Sequence, residues 1–133
     1  KRPTKFWGNV PEFFMYFTPE EYHIGMGFYQ AEPATMERFR RHIDEHPGRF
    51  EKIVRQFRRQ NDYVLTGDDY RKKIASQHSE IIQEWYQKRN FFTVYECKIG
   101  DRFYSAGLKQ EIEEGFNLNA ELYSFIIEGI CNR

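Results

Sequence analysis

The sequence predicts an α+β fold in which an antiparallel sheet, beginning with an N-terminal β-hairpin, is covered by about five helices. Two aromatic segments near the N-terminus are separated by only four residues, which is typical of a hairpin. Further along the chain, apolar residues recur three or four positions apart, as they do in amphipathic helices. Hairpin connections and paired helices favour this layered arrangement over a doubly wound parallel sheet.

The predicted hairpin covers residues 12–30. Its turn, residues 18–21, contains Pro19, whose fixed φ suits a type I turn. Alternation along the second strand places four large side chains on one face: Tyr22, Ile24, Met26 and Phe28. The other face carries His23, Gly25, Gly27 and Tyr29. Two neighbouring positions of that face therefore have no side chain.

The other elements are predicted from apolar spacing. A helix begins near Pro33, which the first turn tolerates, and ends near residues 46–48. Further helices are predicted over residues 49–60, 79–87, 106–114 and 120–130, and strands over residues 63–65 and 90–99, followed by a turn into Phe103 and Tyr104. In the last helix one narrow stripe is polar, which predicts that its other faces are buried: Glu121, Ser124, Glu128 and Cys131. Without a repeat or a linker, residues 1–133 are predicted to form a single domain.

Composition excludes several classes of protein. The chain has 20 basic and 20 acidic residues, and this zero net charge disfavours nucleic-acid binding, which normally requires a basic excess. Neither a membrane-spanning apolar segment nor a secretory signal pattern is present in the sequence. The two cysteines have no spacing typical of a disulfide framework or of a metal site. A reduced, cytoplasmic location is therefore expected.

One segment matches a zinc-peptidase pattern. His42 to His46 reads His-x-x-Glu-His, and two imidazoles four residues apart on a helix share one face. Pro47 follows directly, so that the second histidine lies at a helix end, where a basic side chain also suits the helix dipole. We therefore favour a solvated helix end and expect no metal ion and no other cofactor.

The glycines of the second strand resemble part of a dinucleotide-binding loop. Gly25-Met26-Gly27 lacks the third glycine, however, and it lies within a strand rather than at a strand-to-helix turn. Two other interpretations remain open. Either the missing side chains allow a ring or a helix to approach the sheet closely, or they form the floor of a small pocket flanked by His23 and Tyr29.

Basic residues are concentrated between residues 37 and 73, which contain 11 Lys or Arg and 7 Asp or Glu. Arg40 lies within the apolar spacing of its helix, so it is expected to point partly inward. A buried guanidinium requires a partner. This partner is either an internal carboxylate, Asp68 or Asp69, or a bound anion. In the second case Arg40, Arg71, Lys72 and Arg89 would bind the anion together.

Five segments, taken in order, are similar to a known family. They are residues 22–29, residues 36–40 with Ile43, and residues 67–72, 85–92 and 122–125. In these segments the chain resembles an uncharacterised bacterial family, the domain of unknown function 2461. The family's Arg-Asp-x-Arg-Phe and Lys-x-Pro-Tyr-Lys segments are missing from this sequence, so the resemblance is to the C-terminal portion of the family fold. Four positions match its polar signature: Arg40, Arg71, Lys72 and Arg89.

The resemblance implies no activity, and catalytic residues stay unknown. Our leading hypothesis is a domain that binds an anionic ligand or partner through those four basic residues, with His23, Gly25 and Gly27 as the pocket floor. The alternatives are an enzyme acting on a phosphorylated or nucleotide-like substrate, with His23 as acid or base, and a structural half of a larger fold. An acidic group near His23 would favour the enzyme. If a half is missing, apolar surface around residues 13–17 is exposed and self-association is expected.

Overall fold

The computed structural model describes residues 9–99 and 106–131. The strands are β1 (Glu12–Phe17), β2 (Glu21–Gly27), β3 (Val64–Thr66) and β4 (Phe92–Lys98). The helices are α1 (Pro33–Glu45), α2 (Pro47–Phe57), α3 (Glu80–Tyr86) and α4 (Ala106–Cys131). The α+β class, the antiparallel sheet and the N-terminal hairpin are thereby confirmed. The predicted turn into Phe103 and Tyr104 lies outside the described residues.

The four strands form one antiparallel sheet in the order β1-β2-β4-β3. In the hairpin turn the Thr18 hydroxyl accepts a hydrogen bond from the backbone N–H of Glu21 at 2.9 Å. Strand β2 is a central strand of the sheet, because it pairs with β1 on one side and with β4 on the other. It makes the sheet's most extensive pairing, over seven residues of β4.

The core lies between one face of the sheet and the helices. The four large residues that were predicted to share one face along and just beyond β2 are almost completely buried: Tyr22, Ile24, Met26 and Phe28. Helix α4 packs against β2 and α1, and α2 packs against both α3 and α4. Aromatic rings join these layers: Phe39 of α1, Phe50 of α2 and Phe125 of α4 meet in one group. The opposite, outer face of the sheet carries no helix among the described residues.

The prediction of two closing helices is wrong, because residues 106–131 form the single helix α4 and the described residues hold four helices, not about five. The predicted break contained Gly115 and Asn119, which are poor helix formers. Gly115 lies where any side chain would collide with the Tyr63 hydroxyl. Asn119 is buried, donates to the Gly115 carbonyl at 2.8 Å and accepts from the Thr93 hydroxyl at 2.6 Å. Contacts with the rest of the fold thus stabilise helix where local propensity is weak.

The polar stripe of this last helix is confirmed, since Glu121, Ser124, Glu128 and Cys131 are all exposed. Of the helices that the structure describes, none combines the length and the apolar character required to span a bilayer.

The two glycines of β2 face outward and are covered by aromatic rings. A Cβ atom on Gly25 would lie 2.5 Å from Cζ of Phe14, and one on Gly27 would lie 2.6 Å from Cα of Phe92. Real carbon atoms do not approach this closely, so a side chain at either position requires the neighbouring strand or ring to move. The first interpretation of the glycine pair, the close approach of a ring, is therefore confirmed.

We predict that Gly27→Ala lowers the free energy of unfolding by about 1–3 kcal/mol, because the new methyl group collides with the β4 backbone. Gly48→Ala is the matched control. Gly48 lies in the first turn of α2 with no atom within 4 Å of the added carbon, and alanine is the better helix former. This control should leave stability unchanged or raise it by up to about 1 kcal/mol. Urea denaturation of both variants measures the difference, and equal stabilities would contradict the packing described for β2.

Candidate functional site

A cleft of about 620 Å³ lies on the outer face of the sheet. The pairing register arranges its floor and walls in three rows across the strands. The first row is Glu12, Gly27, Phe92 and Thr66; the second is Phe14, Gly25 and Val94; the third is Tyr16, His23 and Glu96. Tyr29, which follows β2, adds an exposed ring at the end with the first row. A cleft of this size is in the range that holds small molecules.

The floor of this cleft is aromatic. Phe14 lies over Gly25, Phe92 lies over Gly27, and the two rings meet edge to face with centroids 5.5 Å apart. The second interpretation of the glycine pair, in which the bare backbone forms the pocket floor, does not describe this cleft, because the two rings cover the glycines. Gly27, His23 and Tyr29 line the cleft, whereas Gly25 lies beneath Phe14.

His23 lies between two carboxylates at the far end of the cleft. Its Nε2 is 2.9 Å from Glu21 Oε1, and its Nδ1 is 4.0 Å from Glu96 Oε1. The ring of Tyr16 packs edge-on against the imidazole at 5.4 Å. This is an acidic neighbour of the kind expected to favour acid–base chemistry at His23, since a carboxylate orients an imidazole.

The four basic residues expected to share this cleft do not line it. The expected convergence of Arg40, Arg71, Lys72 and Arg89 with the histidine is therefore corrected. The physical reason is that Arg40 belongs to α1, on the helical side of the sheet, while His23 faces outward from β2. The cleft is instead flanked by the carboxylates of Glu12 and Glu96.

Arg40 has a different environment from the one expected. It is half-buried, as its position in the apolar spacing predicted, and its guanidinium carbon lies 5.1 Å from the centroid of the Tyr70 ring. Its Nη1 is buried and has no hydrogen-bond partner among the residues that the structure describes. Asp69, one of its two expected partners, instead accepts from Lys88 Nζ at 2.8 Å.

The loop that carries Tyr70 is attached to the segment before β4. The Tyr70 N–H donates to the Gln87 carbonyl at 3.0 Å, and the Arg89 N–H donates to the Asp68 carbonyl at 2.8 Å. A bridge between Asp69 and Lys88 lies between these two bonds. The pairing holds Tyr70, whose ring packs on Arg40, and it places Arg89 opposite Asp68. The side chains of the other three basic residues are exposed: Arg71, Lys72 and Arg89. Arg71 and Lys72 follow Tyr70 in the chain, and Arg89 follows Lys88.

The zinc-like segment lies at the corner between α1 and α2. His42 is buried, with its ring 4.4 Å from Phe125 and 4.8 Å from His46. Its Nε2 lies 3.5 Å from Glu128, which is itself held by two hydrogen bonds from Arg49 at 2.6 and 3.0 Å. The end of α1 is exposed at Glu45 and His46, in agreement with the expected solvated helix end, whereas α4 covers His42.

Among the described residues, two groups of three side chains have ligand atoms within 4.8 Å of one another: His42 with Glu45 and His46, and His23 with Glu21 and Glu96. Glu45, His46 and Glu96 are exposed. Structural zinc sites are closed by four ligands, and each of these groups supplies three. The expectation of no structural metal therefore stays a prediction. Elemental analysis of the purified protein should find no stoichiometric zinc, and zinc that disappears in a His42→Ala, His46→Ala variant would contradict it.

Burial gives His42 a role in pH-dependent stability. Removal from water lowers the pKa of His42 below its ordinary value, and the nearby His46 lowers it further. Between that lowered pKa and about 6.5 the unfolded chain binds more protons than the folded one. The free energy of unfolding must therefore fall as the pH falls through this window.

We predict that His42→Phe, which keeps a ring against Phe125, makes stability less dependent on pH below about 6.5. Thermal melts from pH 7.5 to 5 compare it with the wild type and with His46→Gln at the exposed neighbour. If the His42→Phe protein loses stability on acidification as steeply as the wild type, the histidine is not the group responsible.

Sequence reasoning missed most of the cleft. Its walls come from residues that it had not singled out as functional: Glu12, Phe14, Tyr16, Thr66, Phe92, Val94 and Glu96. Alternation within β1 and β4 indicates which of these residues share a face of their own strand. The cleft also requires the outer face of β1 and the outer face of β4 to lie on either side of β2. This depends on the strand order, for which the sequence carries no local signal. Tyr70 was missed as the ring that packs on Arg40.

Comparison with known proteins adds one result. No curated protein and no solved structure matches the chain. Residues 3–125 match the family model described as a conserved hypothetical protein, DUF2461. That description names no activity, and the match covers nearly the whole sequence, so the chain belongs to the DUF2461 family.

Proposed function

We propose that this protein is a binding domain for a small anion, such as phosphate or a carboxylate, with a site centred on Arg40 and Tyr70. The observation that carries the proposal is the buried Nη1 of Arg40, which lacks an acceptor among the described residues. A buried N–H of a charged group without an acceptor costs on the order of 1–3 kcal/mol or more. An anion bound beside it would remove this cost.

The carboxylates near Arg40 have other partners. Asp69 binds Lys88, and Asp44, one helical turn after Arg40, accepts from the Tyr86 hydroxyl at 3.0 Å and pairs with His78 at 2.7 Å. An ion pair of Arg40 with Asp69 or Asp44 would require one of these contacts to break, and no described contact joins Arg40 to Asp68. This favours the second of the two partners considered in the sequence analysis, an anion from solution.

The surroundings of Arg40 supply further positive charge. Tyr70 holds the guanidinium by a cation–π contact, which orients the planar group without neutralising it. Arg71 and Lys72 follow Tyr70 directly, and Arg89 lies opposite Asp68 in the pairing of the loop. Several charge-assisted donors around one anion bind it more strongly than neutral donors do, and the attraction between exposed charges weakens with salt.

We predict that inorganic phosphate, titrated calorimetrically at low ionic strength, binds the wild type at least about tenfold more tightly than an Arg71→Ala, Lys72→Ala variant. Tenfold corresponds to about 1.4 kcal/mol, a reasonable value for two exposed charge-assisted contacts. The matched control is Lys52→Ala, Arg59→Ala, which removes the same charge from two exposed residues of the α2 region. If all three proteins bind phosphate equally and negligibly, and only the Arg71→Ala, Lys72→Ala variant loses stability, then these basic residues support the fold and do not bind an anion.

Arg40→Met separates a binding role from a structural one. The substitution removes the N–H that has no acceptor and keeps an unbranched apolar chain at a half-buried position. We expect phosphate binding to be lost while the free energy of unfolding changes by no more than about 1 kcal/mol, the scale of the lost cation–π contact. A loss of several kcal/mol would instead mean that Arg40 supports the fold.

A second candidate function is an enzyme with His23 as general acid or base. The short contact between His23 and Glu21 favours it, because it is the geometry of an oriented imidazole. The carboxylates of Glu12 and Glu96 in the same cleft weigh against a phosphorylated substrate, which they would repel. Phosphate release from p-nitrophenyl phosphate that disappears in a His23→Asn variant would favour the enzyme over the binding domain.

A further inference from the structure

The cleft on the outer face of the sheet is lined by aromatic rings and carboxylates, which differ in chemistry from the basic residues of the proposed anion site. Its rings are Phe14, Tyr16, Tyr29 and Phe92, and two of them are largely exposed, Tyr16 at 55% and Tyr29 at 73%. Aromatic faces attract organic cations, and they also offer apolar surface to a hydrocarbon chain. Of the described residues that line the cleft, none is a lysine or an arginine.

Two carboxylates lie at opposite corners of this cleft. Glu12 shares a row with Gly27 and Phe92, whereas Glu96 shares a row with Tyr16 and His23. The two acidic residues are therefore four residues apart along the strands and two strands apart across them. This places their Cα atoms roughly 17 Å from each other.

Among the residues that the structure describes, neither carboxylate has a strong ion-pair partner. Glu12 is exposed and forms no salt bridge with a described residue. Glu96 is also exposed, and its Oε1 lies 4.0 Å from Nδ1 of His23, whose other ring nitrogen lies closer to Glu21. A ligand with positive charge at both ends complements both corners.

We infer that the cleft binds a linear aliphatic dication, a diamine or a polyamine. Its methylene chain lies over the rings of Phe14 and Phe92, and its ammonium groups lie at Glu12 and Glu96. A neutral apolar ligand leaves both carboxylates without a partner, and a compact cation reaches only one of them. A bare metal ion uses oxygen and nitrogen ligands and makes no use of the rings that form most of the cleft.

The experiment is a calorimetric titration of the full chain with four probes in buffer containing EDTA. The probes are 1,8-diaminooctane, octylamine, 1,4-diaminobutane and 1,8-octanediol, which vary charge and length separately. We expect 1,8-diaminooctane to bind at least about tenfold more tightly than each of the others, since it alone combines two charges with the length to separate them. If 1,8-octanediol binds as tightly as 1,8-diaminooctane, the cleft is apolar and does not recognise charge. If 1,4-diaminobutane binds as tightly, the cleft attracts cations but does not require a ligand long enough to reach both carboxylates. Either result overturns the proposal, as does the absence of binding.

Two variants test the corners. Glu12→Gln and Glu96→Gln should each lower the affinity for 1,8-diaminooctane toward that for octylamine. The double variant Glu37→Gln, Glu113→Gln removes two charges from exposed residues of α1 and α4, and it should bind the probe like the wild type. Unchanged affinity in both corner variants would overturn the proposal.

Two further measurements separate this site from other occupants and from the anion site. Sedimentation velocity tests whether the outer face instead joins two copies of the chain. A dimer that binds no diamine and that dissociates in a Phe14→Ser variant would make this face an interface between copies and overturn the proposal. The Arg71→Ala, Lys72→Ala variant should keep its diamine affinity, because the anion site uses other residues. Failure of the anion proposal therefore leaves this one standing, and the reverse also holds.

Discussion

The alternation along β2 is the constraint on which the other layers depend. One side of this strand presents Tyr22, Ile24 and Met26, which α4 and its neighbouring helices bury completely or almost so. The other side presents His23, Gly25 and Gly27, where the two missing side chains admit the rings of the flanking strands. Because β2 pairs on both edges, a shift of its register by one residue would exchange these faces and place large apolar residues in water. The core and the cleft are therefore two consequences of one pattern.

The chain has no net charge, yet its charges are separated in space. The cleft on the outer face carries Glu12 and Glu96, whereas Arg71 and Lys72 follow Tyr70 in a loop that is paired with the segment containing Arg89. A net charge of zero argues against general affinity for a polyanion, but it says nothing about local groups of charge of opposite sign. The sheet separates the two carboxylates from Arg40, since the carboxylates face outward from the strands and Arg40 belongs to α1.

The candidate site shows how far reasoning from neighbouring residues extends. The sequence indicated that His23 and Gly27 face a pocket and that Arg40 points partly inward, and both follow from periodicity within a single element. It placed the basic residues in the same cleft, which was wrong. Their location depends on which side of the sheet α1 packs, and no spacing within α1 or β2 specifies that.

From the sequence alone, the α+β class, the hairpin and the buried stripes of the helices could be predicted. Each depends on side chains a few residues apart, whose burial the periods of helix and strand dictate. The continuous α4 was decided by tertiary structure, because Asn119 finds partners in Thr93 and the Gly115 carbonyl. The partner of Arg40 was also decided there. The sequence offered Asp69 as a carboxylate partner for Arg40. In the fold, Asp69 binds Lys88, and the ring of Tyr70 packs on the Arg40 guanidinium. Such contacts join residues far apart in the chain, and only the packed fold determines which of several suitable groups meet.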